Sequence, residues 1–215
     1  MDNTSYKEKN EIFKQIDLIC KKYQDYLGSI VNKEKNLNYK IILMFSVLNK
    51  SLSIIEAYKI LLPTNNLMAL NGLTRMQLDN CIFIHGVYLL YQHNIDIDSV
   101  CKDLLSNNKI IRNYKVTPRL TDRYVVEDLD KKYKNQIKEL YKFHCNFVHF
   151  SDRALLSSSE IIKDNLLRIN LSNDYKKFES NVITNGFSFV ELSKFVLILL
   201  KKEWGKINYN CILVK

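Results

Sequence analysis

Glycine and proline are scarce in this chain, with 5 Gly and 2 Pro among 215 residues. All-β and loop-rich proteins need more of both for their turns, so the shortage favours long helices. Paired cysteines are missing too. Cys20, Cys81, Cys101, Cys145 and Cys211 are scattered, odd in number and without a CxxC spacing. Free thiols in a reducing compartment explain that pattern better than disulfides or a zinc cluster. The N-terminal MDNTSYKEKNEIF has no apolar leader. The most apolar run, Phe195 to Leu200 (FVLILL), is followed by Lys201 and Lys202 and is too short to span a bilayer. The expectation is a cytoplasmic chain without a membrane partner. There is no Gly-rich phosphate loop, no GxSxG elbow, no HExxH and no readable pair of catalytic carboxylates. The expectation is therefore no metal and no cofactor.

What is present is apolar material and positive charge. Hydrophobic residues make up 47% of the chain, enough for a full core in one domain, 1–215. The net charge is +9. It suits polyanions such as RNA, and it equally suits the solubility of a Lys-, Asn- and Ile-rich composition typical of an AT-rich genome. Ile12, Ile16, Ile19, Tyr23, Leu27 and Ile30 recur at steps of three and four and predict a helix over 5–33, packed on or appended to the core. A second helix is predicted from about Leu37 to Leu62, stopped by Pro63. A third, from Asn66 to His93, is apolar nearly all round and so central to its bundle. Further helices are predicted over Asp98–Ser106, Val125–Phe150 and Tyr175–Trp204, the last interrupted or kinked at Asn185-Gly186. A β-hairpin is predicted near 159–171, where EII and LLRINL flank KDN. The expected fold is an all-α bundle of five to six helices with that one hairpin.

Three places carry candidate chemistry. In YKFHCNFVHFSD, Tyr141 to Asp152, a helical wheel separates the two histidines. His144 falls with Ile137, Leu140, Tyr141, Phe147 and Val148 on the core face, as a structural histidine with a satisfied ring. Lys142, Asn146, His149 and Arg153 share another face. That face reads either as a solvated stripe or as a cluster able to hold a phosphate and move a proton. Cys145 reads as a buried thiol, or as a nucleophile four residues from His149. The second place is NGLTRMQLDN, where Arg75 and Asp79 stand four apart on an otherwise apolar helix. A charge there needs partners. Glu56 is a candidate partner, and Gly72 and Gly86 on the same face allow a close approach. The third is Arg112, Tyr114, Lys115, Arg119 and Arg123, a solvated loop or a nucleic-acid contact.

LTRMQLDN and NFVHFS together resemble the HEPN superfamily in its broad sense, in its abortive-infection-like and little-characterised branches. Arg75 and Asp79 fill the pattern of an Arg followed four residues later by an acid on a central helix. Asn146, Val148, His149 and Ser151 fill the second pattern. The resemblance covers about residues 40–155. It implies a helical bundle, usually a homodimer, that cleaves RNA without a metal in a defence or toxin-like setting. His149 would be the acid/base and Asn146 the motif's polar residue, with Arg75 on the phosphate. Lys142, Arg153 and Asp79 would bind or orient substrate. The position five before His149, where the motif's arginine is expected, is His144. The alternative is a catalytically inactive helical module that pairs with itself or with a protein partner.

Overall fold

A computed structural model describes residues 3–33, 38–106, 110–134, 136–148, 159–162, 166–169 and 179–207. Its elements are α1 (Asn3–Lys33), α2 (Tyr39–Leu61), α3 (Leu67–Gln92), α4 (Ile97–Ser106), α5 (Asp122–Tyr133), α6 (Ile137–Val148), the strands β1 (Ser159–Ile162) and β2 (Leu166–Ile169), and α7 (Glu179–Lys202). The fold is all-α, with seven α-helices among the described residues rather than five to six. The hairpin is antiparallel and pairs Ser159 with Ile169 and Ile162 with Leu166.

Local chemistry sets most boundaries. Asn38 caps α2 by accepting from the Ile41 N–H at 2.9 Å, and Asn66 caps α3 from the Ala69 N–H at 3.1 Å. Between these helices, Pro63 lies in a 3-10 turn and Asn65 takes a left-handed φ of 55°. The extra helix arises where one was expected over Val125–Phe150. Lys134 has φ 50° and Gln136 has φ 58°, and a right-handed helix does not run through left-handed residues. The Lys134 N–H closes α5 on the Asp130 carbonyl at 2.7 Å, while the Asp130 carboxylate accepts from the Lys138 N–H of α6 at 3.2 Å. No glycine or proline marks this break in the sequence.

α3 packs against α2, α4, α5, α6 and α7, and α1 lies across α7 and α2. Ile12, Ile16, Ile19 and Tyr23 of α1 are fully buried, so the first helix is part of the core. α7 runs unbroken through Asn185-Gly186, where an interruption was expected. Gly186 serves packing: a Cβ built there would lie 2.5 Å from Ile12 Cδ1. α2 with its turn (Tyr39–Thr64) and α7 with its turn (Glu179–Lys206) are long and apolar enough to cross a membrane. In the apolar 18-residue part of each, 50% and 56% is buried inside the bundle, as in core helices.

Gly186→Val should therefore lower stability by about 1–3 kcal/mol through overpacking against α1. In denaturant unfolding, adding Ile12→Ala to Gly186→Val should cost less than the two single losses combined, because both changes act on one contact.

Candidate functional site at the seam of α3 and α6

Arg75 leaves the middle of α3 with its side chain 12% exposed. It is ion-paired with Asp79 one turn on, on the same helix. Its guanidinium carbon lies 4.5 Å from the centre of the Tyr141 ring of α6, a cation–π distance. Burial works against the Arg75 charge, but Asp79 and the Cys145 sulfur outweigh it and hold the guanidinium protonated beyond its usual range. Burial pushes the Tyr141 phenol up, with Cys145 adding to the effect. The central helix thus delivers one fixed cation to the Tyr141–Cys145 side of α6. Glu56 is not its partner: it is exposed on α2, and its carboxylate lies 3.9 Å from Cys20 Sγ of α1. Of the two glycines expected to admit a neighbour, Gly86 does so, with Ile111 Cδ1 2.7 Å from a Cβ built there; Gly72 has nothing within 4 Å.

α6 presents two different faces. Lys142 and Asn146 are exposed and line a shallow cleft of about 380 Å³ together with Glu139 and Phe143. His149 and Arg153, predicted to continue that face, and Ser151 of the family pattern lie outside the described residues. The other face carries His144, 1% exposed. Its burial was expected; a satisfied ring was also expected, and that is corrected. Nδ1 has no hydrogen-bond partner. Periodicity can assign a histidine to the core, but it does not show whether a polar atom faces the ring. Burial, then the Arg75 charge, push the imidazole from 6.5 down to about 4, so it is neutral at physiological pH.

Sequence reasoning missed a second polar centre. His85 of α3 is fully buried between two carboxylates. Nδ1 lies 2.8 Å from Glu203 Oε1, and Nε2 lies 2.9 Å from Asp128 Oδ2 of α5. Glu203 is 1% exposed and also accepts from Lys132 Nζ at 2.7 Å and from the Tyr133 hydroxyl at 3.0 Å. Burial alone would raise the Glu203 carboxyl, but His85 and Lys132 hold it below its usual range. The signal available in the sequence was a lone imidazole inside IFIHGVYLL, which demands a polar partner. In the basic segment, Arg112, Lys115 and Arg119 are exposed, Tyr114 donates to Asp103 at 3.3 Å, and Arg123 pairs with Glu127 at 3.3 Å.

Compared with known protein families, with curated proteins and with solved structures, the chain matches none.

Two outcomes follow. The unfolded chain protonates its histidines below about 6.5, whereas folded His144 stays neutral down to about pH 4. The unfolded state therefore binds the extra proton in that window. Stability contributed by neutral His144 is fully present above about 6.5 and is lost as pH falls toward 4, on the order of 3 kcal/mol. Unfolding free energies measured over this range should fall less steeply in His144→Leu. Separately, Glu203→Gln removes the buried charge that answers Lys132 and His85. It should cost about 3–5 kcal/mol in denaturant unfolding at neutral pH.

Proposed function

We propose that this chain is a HEPN-like helical protein that cleaves RNA without a metal, as a homodimer, in an antiviral-defence or toxin-like role in the cytoplasm. The observation that carries the reading is Arg75: its guanidinium comes from α3 and rests on Tyr141 of α6. The motif's own helix has His144 where that arginine is expected, and the central helix supplies a cation from outside. In sequence, His149 follows Cys145 by four residues and Val148 by one.

The chemistry assigned to this site is an internal transesterification. The 2′-oxygen forms a bond to the neighbouring phosphorus, the bond from phosphorus to the 5′-oxygen breaks, and one proton passes from the nucleophile to the leaving oxygen. His149 carries that proton, since an imidazole titrates near neutral pH. Arg75 stabilises the charge on the phosphate, and Asp79 holds the guanidinium in place. Lys142 and Arg153 add cations for the RNA backbone, and Asn146 orients it.

A second reading is favoured by one feature of the same geometry. Arg75 is already paired with Asp79 and covered by Tyr141, as in a structural network of an inactive dimerisation module or protein-binding module.

The test is cleavage of single-stranded RNA in the presence of a chelator, with growth inhibition scored on expression. Wild type should cleave, and His149→Ala should lose about a hundredfold or more. Arg75→Ala should lose activity while the dimer, followed by sedimentation, persists. A wild-type chain that neither cleaves nor inhibits growth ends the catalytic reading and leaves the module.

A further inference from the structure

Next to the Lys142–Asn146 cleft, with which it shares Leu140 and Phe143, a cavity of about 400 Å³ lies between α3, α6 and α7. That is the size of a small-ligand site. Asn71 of α3 and His144 of α6 line it, each 1% exposed. Asn71 Nδ2 and His144 Nδ1 are both buried without a hydrogen-bond partner. Leaving a buried polar atom unpaired costs about 1–3 kcal/mol, so two on residues that line one cavity call for an explanation.

The orientation of the Asn71 amide follows from its neighbours. Tyr58 donates to Asn185 Oδ1 at 2.6 Å, and Asn185 Nδ2 donates to Asn71 Oδ1 at 2.8 Å. Asn71 Nδ2 is left over as a donor and requires an acceptor. His144 is neutral, and in the tautomer protonated at Nε2 its Nδ1 accepts a hydrogen bond. Leu67, Leu140 and Phe143 form apolar walls, and none of the described lining residues is charged. Phe143, Asn181 and Thr184 form its exposed mouth, and a charged ligand at its inner end, beside Asn71 and His144, would find no counter-charge among the described lining residues. A flat ring matches the walls, and a carbonyl oxygen beside a ring N–H matches the two unpaired atoms.

We propose that this cavity binds a small uncharged heterocycle by its lactam edge, as in uracil. The carbonyl accepts from Asn71 Nδ2 and the adjacent N–H donates to His144 Nδ1. That edge is supplied by a free nucleobase or nucleoside, or by an unpaired base of an RNA chain. Neither Arg75 nor Tyr141 lines the cavity, although the Arg75 charge reaches His144, and binding there does not depend on RNA cleavage.

The full chain would be titrated with uracil, uridine and a short oligouridylate. Calorimetry and the imidazole NMR signal of His144 would follow binding, with toluene as an apolar control. Saturable binding that moves the His144 signal is expected. Ser188 lines the cavity on α7 and donates only to the Thr184 carbonyl, at 3.1 Å. Ser188→Leu should fill the space, keep the melting temperature and weaken binding at least about tenfold. Asn71→Leu should weaken binding as well, but it also breaks the Asn185 hydrogen bond, so Ser188→Leu is the cleaner variant. Uracil or uridine binding assigns the source to a free base. Binding of the oligomer alone, abolished by Ser188→Leu, assigns it to RNA. No saturable binding of any of the three, unchanged binding by Ser188→Leu, or preference for toluene overturns the proposal and leaves a hydrated or apolar cavity. Uridine binding without RNA cleavage would end the catalytic reading but not this one, and cleavage without uracil, uridine or oligomer binding to the cavity would do the reverse.

Discussion

The amide of Asn185 stands where three helices meet. Its oxygen accepts from Tyr58 of α2 at 2.6 Å and from Thr74 of α3 at 3.1 Å, and its nitrogen donates to Asn71 of α3 at 2.8 Å. A buried amide without these partners would be costly, so α2, α3 and α7 are held in the one register that completes them. The same demand recurs along α3. Gln77 donates to Ser193 Oγ at 3.2 Å, while Tyr23 of α1 donates to the Ser193 carbonyl at 2.9 Å. Asn80 donates to Ser51 of α2 at 2.9 Å. Asn71, Thr74, Gln77 and Asn80 are spaced by three, a ridge that winds slowly round the helix. Its start therefore meets α7 and its end meets α2. On a helix surrounded by neighbours, such polar side chains must find partners across the packing, because they have no water to turn to.

Both functional readings grow from that row. Arg75 lies beside it, and a largely buried guanidinium calls for a counter-charge that the amides of the row do not supply. Asp79 and the face of Tyr141 satisfy it instead. The cavity lies at the α7 end of the row, where Asn71 starts it. Asn71 spends its oxygen on Asn185, its nitrogen has no partner, and its side chain lines the cavity together with His144. Gly186 follows Asn185 directly and lets α1 press onto α7, so the polar join and the tight apolar contact occupy adjacent residues.

Much of the helical architecture was legible. Ile12, Ile16, Ile19 and Tyr23 repeat at helical spacing and are buried as that spacing implies. The encircled character of α3 followed from its all-round apolarity. The division between α5 and α6 was not legible, because it depends on the left-handed backbone of Lys134, a residue type with no preference for that conformation. Asn185-Gly186 suggested a break because both residue types are common in turns. In the fold they serve a polar join and a close approach, both made by elements far away in the chain. In the candidate site, the Arg75–Asp79 spacing was readable and Tyr141 as the covering ring was not. His144 was correctly assigned to the core, while its unpaired nitrogen was invisible.

The sequence by itself determined what depends on neighbours within a turn or two. That includes the all-α class, the buried faces, the Arg75–Asp79 pair and the separation of His144 from the Lys142–Asn146 face. Only the tertiary structure decided which polar group meets which. His85 finds Glu203 across 118 residues of chain, and Asn185 finds Asn71 across 114. Periodicity tells which side of a helix faces inward. It carries no information on how far that helix slides along its neighbour, and a shift of one residue, about 1.5 Å, is enough to make or break a hydrogen bond.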